Sequence, residues 1–279
     1  MSGLLRCAWA FLVRDFRIEA SYRLSFVLQF LGLFVSTLLW FFFAGFVDGV
    51  GQGSGRLAAQ TGNLGFFPWV LAGITVSRFL DVSLSTFAAQ IRNEQSLGTL
   101  EAMLVTPARL GHLMLASSSW SFVFAGMQAA LYLLFGVFVF GVEVRVAGTL
   151  SSLVAVVLTI VLTIAAFSGI GILSAAFVLY FKRGNPINFV ISSFSLLFGD
   201  VLVPARSLPG PLPWLTKIIP ISYATNAVRG ALLRGETLVE LAPNLLALAA
   251  FAAVLLPIGL LGARLAVRRA KQEGTLVQY

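Results

Sequence analysis

Arg78 and Asp81 stand three residues apart inside a long apolar run, so a helix there carries both on one face, close enough to pair. Ionisable side chains in hydrocarbon are costly and mark ion or substrate pathways, or else form an ordinary salt bridge near a membrane surface. Elsewhere the means for chemistry are few. His112, at a helix start, is the single histidine and Cys7 the single cysteine, which excludes H-E-x-x-H, a Cys/His zinc site and an internal disulfide. No lysine follows a glycine, so G-x-x-x-x-G-K-[ST] cannot occur, and no serine satisfies G-x-S-x-G. The acidic residues are scattered. No catalytic residue, metal site or cofactor is expected on this chain.

A second polar group lies in "NEQSLGTLEAMLVTPARL", residues 93–110. As a helix, 93–106 places Leu97, Leu100 and Leu104 on one side and Glu94, Gly98 and Glu101 on the other, and Pro107 stops it. A carboxylate face is poorly suited to an anionic lipid surface. Its expected contact is another protein.

The elements that must hold these groups follow from composition. Hydrophobic residues make up 58% of the 279 and charged residues 11%, with a mean hydropathy of +0.94, far from the roughly 25% charge of a soluble domain. The net charge of +8 resides mostly in arginines at the ends of apolar runs, the pattern of inner-membrane loops, with no nucleic-acid partner implied. Spans are expected at 24–47, 64–91, 113–142, 149–181, 187–203 and 245–262, each near the ~20 residues a crossing needs. The fourth exceeds one crossing and is expected to protrude or bend at Gly169 and Gly171; the fifth is short and contains Asp200. With both termini cytoplasmic, Arg6, Arg14, Arg17, Arg23, Arg92, Arg109, Lys182, Arg183, Arg264, Arg268, Arg269 and Lys271 fall inside. Arg56, Arg145, Arg206, Lys217, Arg229 and Arg234 fall in outer loops.

Residues 204–240 hold five of the ten prolines and cannot form one helix, although 223–234 is expected to form a short one. On a wheel over 5–23, Leu5, Trp9, Leu12 and Phe16 occupy a ~60° arc and Arg6, Arg14 and Arg17 a separate ~80° sector, while Arg23, at the end of the stretch, comes back to the apolar side. Such a basic amphipathic helix lies in the bilayer interface. The expected fold is all-α and integral to the membrane: one domain over 1–279, with an interfacial helix at 1–23, six transmembrane helices, a cytosolic segment at 92–110 and an outer segment at 204–240.

In four places the chain resembles the permease subunits of ABC exporters of the type-2 class. "RDFRIEASYRLSFVLQ" (14–29) resembles their connecting helix, and "NEQSLGTLEAMLVTP" (93–107) their acidic G-T-L-E-x-x-x-x-T-P segment. "KRGNPINFV" (182–190) resembles their inner turn, and "LVPARSLPGPLPWLTKIIPISYATNAVRGALLRG" (202–235) their proline-rich outer segment with P-x-x-Y and a following Arg. Ser96 departs from a position the family often fills with a charged residue. The resemblance implies that Glu94, Gln95, Gly98, Thr99, Glu101, Thr106 and Pro107 form a coupling helix seated on a separate P-loop ATPase, which would carry ATP and Mg²⁺. It implies short re-entrant helices around Pro204, Pro209, Pro220, Tyr223 and Arg229, a connecting helix presenting Trp9, Arg14, Arg17 and Arg23, and a second permease copy, identical or paralogous. The implied function is export of an amphiphilic drug, lipid or glycoconjugate across the cytoplasmic membrane. The alternative is an ion-coupled secondary transporter, which would show inverted repeats and titratable groups at mid-membrane.

Overall fold

The computed structural model describes residues 2–51, 61, 64–96, 110–145, 150–181 and 186–272, and the described residues are helical apart from short turns. In chain order the helices are α1 (Ser2–Ser21), α2 (Arg23–Gly51), α3 (Phe66–Ser96), α4 (Leu110–Ser117), α5 (Ser119–Phe138), α6 (Leu150–Phe181) and α7 (Pro186–Phe198). Two 3₁₀ turns, Ala205–Ser207 and Leu212–Lys217, lead into α8 (Pro220–Arg229), a π-helical turn Gly230–Arg234 and α9 (Leu238–Gln272).

Among the described residues, five helices are long and apolar enough to cross a membrane: Arg23–Gly49, Phe66–Gln90, Met114–Phe138, Val154–Leu179 and Leu238–Arg269. The expected span at 187–203 is shorter than anticipated. α7 ends at Phe198 after 13 residues, roughly 20 Å of helix against ~30 Å of hydrocarbon, and Asp200 lies outside it in a turn. α6 runs as one helix of 32 residues through Gly169 and Gly171. Both glycines serve close approach. A Cβ on Gly169 would stand 2.5 Å from the Leu255 carbonyl carbon of α9, and one on Gly171 would stand 2.3 Å from the Ser83 carbonyl oxygen of α3.

α6 therefore sits at the centre, packed on α9 along one side and α3 along another, with α8 wedged against all three. Phe79, Leu84, Phe87, Phe167, Ile172 and Leu248 fill the main core, and Leu33, Phe67, Trp69 and Tyr132 form a second one between α2, α3 and α5. Several buried hydroxyls bond backbone carbonyls in place of water. Thr37, Thr75, Ser77 and Thr159 each donate to the carbonyl four residues back, at 2.8, 2.8, 3.0 and 2.7 Å. Ser83 Oγ instead reaches across to the Phe167 carbonyl at 2.6 Å, tying α3 to α6.

The α6–α9 seam gives a direct test. A Cβ on Gly259 would lie 2.5 Å from the Gly169 carbonyl oxygen, which is backbone and cannot rotate away. Gly259→Val is expected to part the two helices at a cost of at least about 1–3 kcal/mol, read as a lowered thermal midpoint in detergent. Gly49→Val, where nothing stands within 4 Å, should leave the midpoint unchanged.

Candidate functional site

Charged side chains along the spans have few ways to be satisfied, and α3 carries two of them. Arg78 and Asp81 share a helix face, yet each takes a partner from a different helix rather than the other. Arg78 Nη2 donates to Gln128 Oε1 of α5 at 2.9 Å, and Asp81 Oδ1 accepts from Ser192 Oγ of α7 at 3.0 Å. Both α5 and α7 pack against α3, and each supplies one of the partners. The buried Nε of Arg78 has no partner among the described residues. One turn below, Ser85 is exposed like Asp81. Arg78, Asp81 and Ser85 thus form a polar line on the otherwise apolar bundle, flanked by Gln128 and Ser192.

α7 is held against this line by its foot. Asn188 Nδ2 donates to the Leu84 carbonyl at 2.7 Å, while Asn188 Oδ1 accepts from Ser174 Oγ of α6. One amide thereby joins three helices. Sequence reasoning missed Gln128, Asn188 and Ser192. Gln128 was the single amide in the run 113–142, and Asn188 lay within the quoted "KRGNPINFV", so an inventory of intramembrane amides would have found both.

The proline-rich segment is built around Arg229, which sequence reasoning placed in an outer loop and the structure buries to 2% exposure. Its Nη1 donates to Asp200 Oδ2 at 2.9 Å, Nε and Nη2 donate to the Trp69 carbonyl at 3.1 and 3.0 Å, and Nη2 also reaches the Val201 carbonyl at 3.3 Å. The guanidinium lies 3.6 Å from the centroid of the Trp69 ring. Burial of a charge is tolerable only with such a set of partners. Asp200 meets it from a left-handed conformation, φ 57°, which Asp adopts more readily than most residues, and its Oδ1 accepts from the Ala205 amide at 2.7 Å. Gly73 makes room: a Cβ there would be 2.8 Å from the Val201 carbonyl oxygen. This knot ties the start of α3, the end of α7 and the end of α8.

Around it, Pro204 precedes the first 3₁₀ turn, the Pro209 carbonyl accepts from the Leu212 amide at 3.4 Å, and Pro220 begins α8, where a proline costs no hydrogen bond. Tyr223 donates through its hydroxyl to the Lys217 carbonyl at 3.0 Å, closing the second 3₁₀ turn onto α8. The short helix expected over 223–234 starts earlier, at Pro220, and its last five residues are π-helical before Gly235 ends it at φ 66°.

In α1, Trp9 is 68% and Phe16 54% exposed, the latter edge-on to Trp120 of α5 at 5.5 Å. Arg14 pairs with Asp15 at 2.7 Å and lies over the Phe11 ring, while Arg17 and Arg23 are exposed. Gln29 Nε2 donates to Glu19 Oε1 at 3.0 Å, joining α2 to α1. Glu94 and Gln95 belong to the last turn of α3, which runs on to Ser96. Gly98, Thr99, Glu101, Thr106 and Pro107 lie outside the described residues.

Comparison with known proteins matches residues 5–233 to a family model described as ABC-2 type transporter. The chain is similar to Nodulation protein J of Rhizobium meliloti (strain 1021), 26% identical over 218 residues covering 75% of this chain and 78% of that protein. It is also similar to Nodulation protein J of Rhizobium leguminosarum bv. trifolii, 24% identical over 204 residues, 73% and 75% of the respective lengths.

Proposed function

We propose, from the premise that this chain belongs to the ABC-2 type transporter family as a multi-pass membrane permease whose ATPase is a separate subunit, that it exports an amphiphile such as a drug, lipid or glycoconjugate. The observation that carries the transport role is the polar line of Arg78, Asp81 and Ser85. Two ionisable groups on a partly accessible helix face, Arg78 and Asp81, are costly against lipid, so the face adjoins a wet path or a second copy of the chain. Two permeases, identical or paralogous, and two ATPases make the working unit.

In this reading both termini are cytoplasmic, α1 lies in the interface with its arginines toward anionic headgroups, and α7 with the following turns completes a sixth, partial crossing. The whole chain, 1–279, forms one transmembrane domain. Residues 92–110 seat Glu94, Gln95, Gly98, Thr99, Glu101, Thr106 and Pro107 on the ATPase, where ATP and Mg²⁺ bind. Closure of the ATPases displaces that segment, and α3, continuous from its outer Trp69 end to Ser96, conveys the displacement past Arg78 and Asp81 to the Arg229 knot. The knot and the re-entrant turns around Pro204, Pro209, Pro220 and Tyr223 form the outer gate.

Inverted membrane vesicles holding the chain and its ATPase are expected to take up a fluorescent acyl-glycoside probe on addition of ATP. Asp81→Leu should lower that uptake by roughly tenfold or more while ATPase association is retained, since an apolar residue drains the path without touching the cytosolic segment. Uptake driven by a proton gradient without ATP would instead select the ion-coupled reading. Equal uptake by the variant would remove Asp81 from the path.

A further inference from the structure

α7 is fastened to α3 and α6 at its foot and to the second 3₁₀ turn at its top, and between these it stands away from the α6–α9 pair. Two cavities open along the resulting cleft. One, of about 1030 Å³, is lined by Leu173, Phe177, Ile187 and Leu265 and ends at Arg268 and Arg269 of α9. The other, of about 490 Å³, continues between Phe167, Phe194 and Phe251 to the turn at Ile219. Ile170 and Ile191 line both, so the cavities meet there. The charged groups are at one end; of the wall serines, Ser174 is already bonded to Asn188 and Ser195 is buried.

The shape specifies an occupant. From Arg268 to Phe251 along α9 is roughly 25 Å, more than the ~15 Å depth of one hydrocarbon leaflet. A lipid resting in its own leaflet does not need so long a groove, whereas a tail passing from one leaflet toward the other does. The basic mouth matches an anionic headgroup. We infer that the α6–α7–α9 groove takes the acyl tail of an amphiphile whose anionic headgroup is held at Arg268 and Arg269. This deepens the export reading and rests on it for naming that amphiphile as cargo.

The test uses the chain with its ATPase in phosphatidylcholine nanodiscs, without ATP, carrying a trace of either photoactivatable phosphatidylglycerol or photoactivatable phosphatidylcholine. Adducts are mapped by mass spectrometry. Phosphatidylglycerol is expected to label residues 187–194 and 251–265 roughly tenfold above phosphatidylcholine, and the difference should vanish in the double variant Arg268→Gln/Arg269→Gln, provided its thermal midpoint is that of the unaltered chain. Ile191→Trp should block the junction, removing adducts around Phe251 while keeping those near the basic mouth. Equal labelling by the two lipids, labelling indifferent to the double variant, or photo-crosslinks from 190–194 to a second copy would overturn the inference. The two readings fail separately: headgroup-selective labelling of a chain that purifies without an ATPase sinks the export reading alone, and unselective labelling of an intact complex sinks the groove alone.

Discussion

Glu101→Arg is expected to abolish transport, by roughly two orders of magnitude or more, in a permease that remains inserted and folded. In a helix, Glu94, Gly98 and Glu101, at i, i+4 and i+7, would share one sector of about 60°, with Leu97, Leu100 and Leu104 in a neighbouring one. If the acidic face seats on a complementary surface of the ATPase, reversing one charge places like charges together, a cost of several kcal/mol that the joint must absorb at every cycle. Uncoupling, rather than misfolding, is the expected signature: the variant reaches the membrane at normal abundance, retains its thermal midpoint and fails to transport. Glu101→Gln, which removes the charge without reversing it, should retain part of the activity. Normal transport by Glu101→Arg would remove 92–110 from the ATPase interface.

The second large effect concerns stability. Arg229→Ala removes one member of a buried ion pair and leaves Asp200, with a side chain 10% exposed, without its cation. Breaking such a pair costs about 3–5 kcal/mol, because the remaining charge keeps its desolvation penalty. The Trp69 carbonyl loses two donors at the same time. A drop in the detergent thermal midpoint is expected, together with loss of the turn that Asp200 holds through Ala205. Arg229→Ala/Asp200→Ala should be less destabilised than the sum of the single variants, since the double change removes both charges. Additive losses would mean that Arg229 acts through Trp69 alone.

These expectations differ in how far the sequence made them legible. Long apolar runs with basic ends announced the membrane helices, because crossing ~30 Å imposes a length and a composition that no other constraint imitates. The glycines of 149–181 were visible too, but their purpose was not: a glycine that bends a helix and one that admits a neighbouring backbone look alike until the partner, Leu255 or Ser83, is in place. Asp200 seemed a blemish in a fifth span and Arg229 one more outer basic residue. Their pairing joins positions 29 residues apart across an irregular segment, with no periodicity to link them. Arg78 and Asp81 were identified as a pair by spacing, which describes one helix well. Spacing is silent about Gln128 and Ser192, which arrive from elsewhere and divide the pair between them.

If 92–110 of this permease delivers the work of the ATPase, a photo-crosslink from that segment must find the ATPase. A photoreactive amino acid at position 101, introduced into the otherwise unaltered chain, is illuminated in native membranes and the products are identified by mass spectrometry. One dominant adduct joining the permease to a P-loop ATPase subunit is expected, with a yield that changes when ATP closes the complex. Adducts to lipid alone, from a chain that still transports, would contradict it.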